Sequence, residues 1–204
     1  MQADAYEFSL VQVFTLLFVM IGPLKLLGPF AAGTRTLDDA SLRSLSLKAA
    51  LIATGTLLAG GFLGKVMLQN WGVGVGALSI AGGIVFFLVS VRLVMEEYAP
   101  REPPRDHSPL TAFEAAFPLT VTPYGVAGFI ALLSVAQDQR RVVAIVVITL
   151  LVLALDLLSM IYVRPLLKHI GLPLKLLGAV LGVLMLALSV QMVIDGLQRA
   201  GLVG

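Results

Sequence analysis

The chain has 204 residues, a net charge of +2, no cysteine and a hydrophobic fraction of 58%. Charged residues are 13% of it, against roughly 25% in a soluble globular domain, and mean hydropathy is +0.98. These values exclude a water-soluble enzyme, a disordered chain, a nucleic-acid binder built on a basic surface, and any disulfide, thiolate-metal or thiol-redox chemistry.

A helix needs about 20 mostly apolar residues to cross the hydrocarbon core. Six stretches meet that length: Phe8–Ala32, Ser46–Leu68, Val73–Met95, Ala112–Ala136, Val142–Val163 and Leu174–Leu197. They are continuously apolar rather than alternating, which favours helices over strands. The expected fold is all-α: one polytopic transmembrane domain over residues 1–204, with six transmembrane helices. The residues before the first stretch carry no Lys or Arg. A cleavable signal would open on basic residues, so the first stretch is expected to be retained.

Lys and Arg near the segment ends set the orientation. One side collects Arg35, Arg43, Lys48, Arg92, Arg101, Arg105, Arg164, Lys168 and Lys175. The other collects Lys65, Arg140, Arg141 and Arg199. The first side is expected to be cytoplasmic, with both termini outward. The longest connector, 96–111, contains Pro100, Pro103, Pro104 and Pro109 and cannot form a regular helix. It separates two units, 1–99 and 100–204. His107 and His169 have no partner at metal-ligand spacing and read as solvated loop histidines, so no metal site and no cofactor are expected.

The two units resemble each other. An offset of 99 aligns Ser90-Val91-Arg92-Leu93-Val94-Met95-Glu96 with Ser189-Val190-Gln191-Met192-Val193-Ile194-Asp195, and pairs Gly72 with Gly171 and Gly83 with Gly182. An offset of 100 pairs Pro23 with Pro123 and Gly28 with Gly128. A three-helix unit has an odd number of spans, so its second copy inserts upside down. Two inverted three-helix repeats are a transporter architecture.

The first and fourth helices are predicted to be broken by Pro and Gly. The first contains Gly22, Pro23, Lys25, Gly28 and Pro29; the fourth contains Pro118, Thr120, Thr122, Pro123, Tyr124 and Gly125. Carbonyls freed by proline must be buried in protein or line a wet cavity. Interrupted segments at matching places in two repeats point to a central site. Free N–H groups there favour a carboxylate, and free carbonyls a cation. The competing explanation is a pair of structural kinks.

Two charges fall within the spans, Lys25 and Asp156. They could form a pair that gates protons or touches substrate. Equally, Lys25 could snorkel to the interface while Asp156 bonds to Ser159 or backbone. Glycines four apart, Gly60 with Gly64, Gly72 with Gly76 and Gly178 with Gly182, are expected to let helices pack closely. Gly60–Lys65 lacks the first glycine and the hydroxyl of a phosphate loop, since Ala59 and Val66 stand there. No H-E-x-x-H or G-x-S-x-G occurs, and no enzyme activity is expected.

Four places resemble the MarC family of bacterial integral membrane proteins. They are Pro23, Pro29, Phe30 and Thr34; Ile80-Ala81-Gly82-Gly83-Ile84; Phe117-Pro118-Leu119 with Pro123; and Val190-Gln191-Met192-Val193-Ile194-Asp195-Gly196-Leu197. The resemblance covers nearly the whole length. It implies six helices, an outward (periplasmic) N-terminus and the bacterial inner membrane. Some members are described as transporters of small neutral amino acids, and the family is remotely similar to LysE-like exporters. Many members have Asp where this chain has Gly22, and a small residue where it has Lys25. A cationic Lys25 would favour carboxylate-bearing solutes.

The leading expectation is a secondary transporter of small polar solutes, neutral amino acids foremost. It would bind near the breaks and Asp156, with a proton or sodium ion as coupling partner, in a lipid bilayer, and compatibly with a homo-oligomer. The alternative is a non-transporting membrane scaffold or partner subunit with a dry interior.

Overall fold

The computed structural model describes residues 9–96, 110–136 and 138–203. The proline-rich connector with His107 lies outside the described residues, as does the His169 side chain. Among the described residues every regular element is helical. The elements are α1 (Leu10–Ile21), α2 (Pro23–Gly33), α3 (Asp39–Asn70), α4 (Val75–Glu96), α5 (Ala112–Glu114), a π-helical turn (Ala115–Thr120), α6 (Pro123–Val135), α7 (Gln139–Ile161) and α8 (Val163–Arg199).

Residues that can accept from orphan N–H groups open several of these helices. Ser9 and Gln12 form a reciprocal capping box at α1, as do Thr111 and Glu114 at α5. Asp38 caps α3 and Asp138 caps α7.

Among the described residues four stretches are long and apolar enough to cross a membrane: Leu10–Gly33, Asp39–Asn70, Gln139–Ile161 and Val180–Arg199. Gly76–Leu88 and Gly125–Val135 are shorter apolar helices. Large apolar side chains face outward, among them Leu51 (66% exposed), Leu63 (64%) and Leu88 (62%). In water such a surface would drive association, whereas in lipid it is solvated.

Two boundaries differ from the sequence reading. The second segment begins at Asp39, because Asp38 caps a polar first turn ahead of the apolar run. The connector expected after the fifth segment is helical. Only Tyr162 separates α7 from α8, and Pro165 sits in the first turn of α8, where a missing N–H costs no bond.

α4 lies along α8, and α3 packs against α6 and α7, while α1 contacts α6 and α7. Glycine brings backbones together. A Cβ on Gly76 would lie 3.0 Å from the Gly196 carbonyl oxygen, and one on Gly196 would lie 2.9 Å from that of Gly76. On α3, Gly60, Gly61 and Gly64 receive Val126, Phe129 and Ile130 of α6. Gly72 departs from the packing expectation. Its φ of 67° belongs to the turn that ends α3, and a Cβ there would meet open space.

Leu16, Leu17, Met20, Leu26, Phe30, Phe86, Phe129 and Leu132 form the centre of the core. Several buried hydroxyls are satisfied within their own helices, whereas Ser134 Oγ is buried without a hydrogen-bond partner among the described residues. Ser46 donates to Leu42 O (2.8 Å), Ser90 to Phe86 O (2.6 Å) and Thr149 to Ile145 O (2.8 Å).

Candidate functional site: two helix breaks joined by Lys25

At the first break, α1 stops at Ile21 and α2 starts at Pro23. Pro disfavours the helical conformation in the residue before it. Gly22 is accordingly extended (φ −80°, ψ −178°), and its N–H closes α1 on Phe18 O at 3.0 Å. A side chain at 22 would run into the Phe18 carbonyl oxygen. Pro23 then occupies the first helical position, where its ring is preorganised.

The second break has two bends. Phe117 precedes Pro118 and is extended (φ −141°, ψ 125°) inside the π-helical turn. Val121 and Thr122 are extended before Pro123, which again takes the first helical position. Local hydroxyls close this break. Thr120 donates to Ala115 O at 2.9 Å, and Thr122 Oγ1 accepts the Gly125 N–H at 3.1 Å. Val121 N–H reaches Ala116 O at 2.9 Å.

The two breaks touch. A Cβ on Gly125 would lie 2.5 Å from Ile21 Cγ2 and 3.8 Å from Met20 O, so a side chain here would push the ends of α1 and α6 apart. Lys25 spans the gap. Its ammonium donates to the Met20 carbonyl and to Thr122 Oγ1, the latter at 3.3 Å. It therefore turns inward to the carbonyl at the end of α1.

Asp156 is 1% exposed on α7, and neither of its oxygens accepts a hydrogen bond from a described residue. The expected bond to Ser159 or backbone is not made. Nor is Asp156 hydrogen-bonded to Lys25.

The structure thus gathers Gly22, Pro23, Lys25, Thr120, Thr122, Pro123 and Gly125 around the breaks; Asp156 lies on α7 and bonds to none of them. Gly28 and Pro29 are exposed on α2, which continues unbroken to Gly33. The first break is therefore narrower than the sequence suggested. Pro118 bends the π-helical turn and Tyr124 lies in the first turn of α6; their side chains lie outside the described residues.

Sequence reasoning missed the Met20 carbonyl, because a backbone acceptor leaves no residue-type signal. It also missed an ion pair joining Arg164 to Asp39 at 2.6 Å, which borders a cavity of about 270 Å³ with Arg43 and Tyr162. Those partners are 125 residues apart. Among the described residues no group of three or more His, Asp or Glu could hold a metal ion.

Chemically, the breaks combine a cation on a helix-end carbonyl, hydroxyls, and the start of a helix whose N–H groups favour negative charge. The chain is 31% identical to a UPF0056 membrane protein of Archaeoglobus fulgidus over 191 residues, 90% of each chain. It is 23% identical to a UPF0056 membrane protein of Methanocaldococcus jannaschii over 197 residues, 93% of this chain and 96% of the relative. No solved structure matches it. Residues 8–200 match the MarC family integral membrane protein description, and with helices of this length and apolar surface the chain belongs to the MarC family of integral membrane proteins.

Proposed function

We propose that the protein is a secondary transporter of small polar solutes, with neutral amino acids the first class to test. It is not an enzyme in this reading. The observation that carries the proposal is the contact between two proline-started helix breaks, bridged by Lys25 and Thr122. Helix ends that meet in an apolar interior supply donors and acceptors for both ends of a zwitterion.

The same reading takes α1–α2, α3, α4, α5–α6, α7 and α8 as six spans in two inverted repeats, 1–99 and 100–204. Equivalent helices in the two units touch: α4 with α8, α3 with α7, and α1 with α6. Both breaks place an extended residue before a proline at the first helical position. Both termini face outward from a bacterial inner membrane, and a proton, a sodium ion or the solute's own gradient drives transport. Absence of native cysteine makes the orientation directly testable. Single cysteines at Ala3 and Leu202 should react with an impermeant maleimide on intact cells. Labelling only after permeabilisation would overturn the orientation.

Transport is tested by counterflow. Proteoliposomes loaded with unlabelled glycine, alanine or serine should take up the labelled solute faster than protein-free vesicles. Pro123→Ala should lower that uptake by restoring helix across the break. No counterflow with any of these solutes would remove the amino-acid reading. The alternative, a non-transporting scaffold, is favoured by one observation: the breaks are filled by Ile21, Met20 and Lys25. An absence of counterflow would move weight to it.

A further inference from the structure

A cavity of about 270 Å³ lies away from the helix breaks, where the ends of two apolar spans meet. Asp39 opens α3 and Ile161 closes α7, and both border it together with Arg43, Tyr162 and Arg164. The level at which spans start and stop is the level of lipid headgroups, where tyrosine and arginine are favoured.

Two guanidinium groups and one carboxylate line the cavity. The carboxylate is already engaged. Arg164 pairs with Asp39 at 2.6 Å and also donates to the Leu37 carbonyl, which orients its guanidinium. Arg43 stands outside that pair, so the lining keeps one positive charge in excess. Guanidinium groups match phosphate oxygens in geometry and charge. Basic pockets between membrane helices suit anionic headgroups. The apolar surface continues from the same residues. Leu47 and Leu51 follow Arg43 at four-residue steps along α3, and Leu158 stands one turn before Tyr162 on α7; all three are exposed. Arg43 and Tyr162 therefore each have a lipid-facing leucine one turn deeper in the span. A free anion would make no use of those leucines.

We propose that this cavity binds the phosphate headgroup of an anionic membrane lipid, with Arg43 and Arg164 on the phosphate and an acyl chain along the exposed leucines. The lipid ties α3 of the first unit to the α7–α8 junction of the second. This site is independent of the transport reading.

The experiment is thermal unfolding of the full chain in detergent with added phosphatidylglycerol, phosphatidylcholine or inorganic phosphate. Phosphatidylglycerol should raise the wild-type midpoint saturably, by roughly 5 °C, and the other two should not. Arg43→Gln should lose at least half of that rise. Lys48→Gln removes the same charge from α3 outside the cavity lining and should keep it. An equal rise with phosphatidylcholine or inorganic phosphate, or equal behaviour of the two variants, would overturn the proposal. If Arg43→Gln gives no folded protein, Arg43→Lys decides, since it keeps the charge and loses the planar fork. Native mass spectrometry should then find less retained phosphatidylglycerol than in wild type, and undiminished retention would overturn the proposal.

Discussion

At the first break the backbone leaves the helix once, at Gly22, whereas at the second it bends at Phe117 and again over Val121 and Thr122. Both restart at a proline. They differ in how the interrupted backbone groups find partners. The second break has Thr120 and Thr122 in its own sequence and closes locally. The first turns on a glycine, which offers no side chain, and the Met20 carbonyl takes its partner from Lys25 one turn further on. A neutral repair ends where it is made. A charged repair brings a cation to the break, and Lys25 carries it on to the Thr122 hydroxyl of the second break.

The largest expected effect comes from removing that charge. Lys25→Met leaves the Met20 carbonyl without its ammonium partner. Losing a charge-assisted hydrogen bond to a buried carbonyl costs about 1.5–3 kcal/mol. Thermal unfolding measures it, and a loss no larger than that of a surface lysine such as Lys48 would erase the distinction between the two breaks.

Gly22→Ala comes next. Its added methyl meets the Phe18 carbonyl, a backbone atom of the preceding helix that cannot swing aside. Overpacking of this kind costs about 1–3 kcal/mol. Ala at Gly28, where a Cβ meets open space, is the matched control and should be neutral or slightly stabilising. Equal losses at both positions would mean that the first break is not set by Gly22. Thr122→Ala should cost about 1 kcal/mol as a lost helix cap. Thr122→Ser keeps the hydroxyl and should recover most of it. Because Thr122 also receives Lys25, its loss should be smaller in a Lys25→Met background.

How far these features could be read in the sequence follows from the range of each interaction. Proline acts on its neighbour, so the breaks before Pro23, Pro118 and Pro123 were legible from the chain itself. Pro29 carries the same signal, yet α2 runs through it. Membrane helices accommodate an interior proline when the freed carbonyl is satisfied, and sequence does not reveal that. The inward turn of Lys25 depends on a backbone oxygen and on a hydroxyl 97 residues away. The glycines of α3 were legible as a close-packing face, but Gly72 shared their spacing and serves a turn. Tyr162 as a one-residue interruption between α7 and α8 had a local cue in Pro165, which fits a first helical turn.

The smallest effect separates the breaks from the two helix starts outside them that are capped by carboxylates. At the breaks, helices begin on Gly22 and Thr122, which carry no charge; α3 and α7 begin on the carboxylates Asp38 and Asp138. A carboxylate cap works where water can solvate it, and it depends on pH. Hydrogen bonds from the Ser41 side chain and from the Ser41 and Ala40 backbone N–H groups hold the Asp38 carboxyl below its ordinary value. A carboxyl with a depressed value in the folded state adds stability above its unfolded value, and this is lost as pH falls through the folded one. Wild type should therefore unfold slightly later than Asp38→Ala at pH 7, and the gap should narrow as pH drops below about 4. The Thr122→Ala gap, resting on a hydroxyl, should not follow this pH course. A constant Asp38→Ala gap across the same range would show that the cap acts as a neutral acceptor, and the contrast between the carboxylate-capped starts of α3 and α7 and the uncharged starts at the breaks would lose its electrostatic basis.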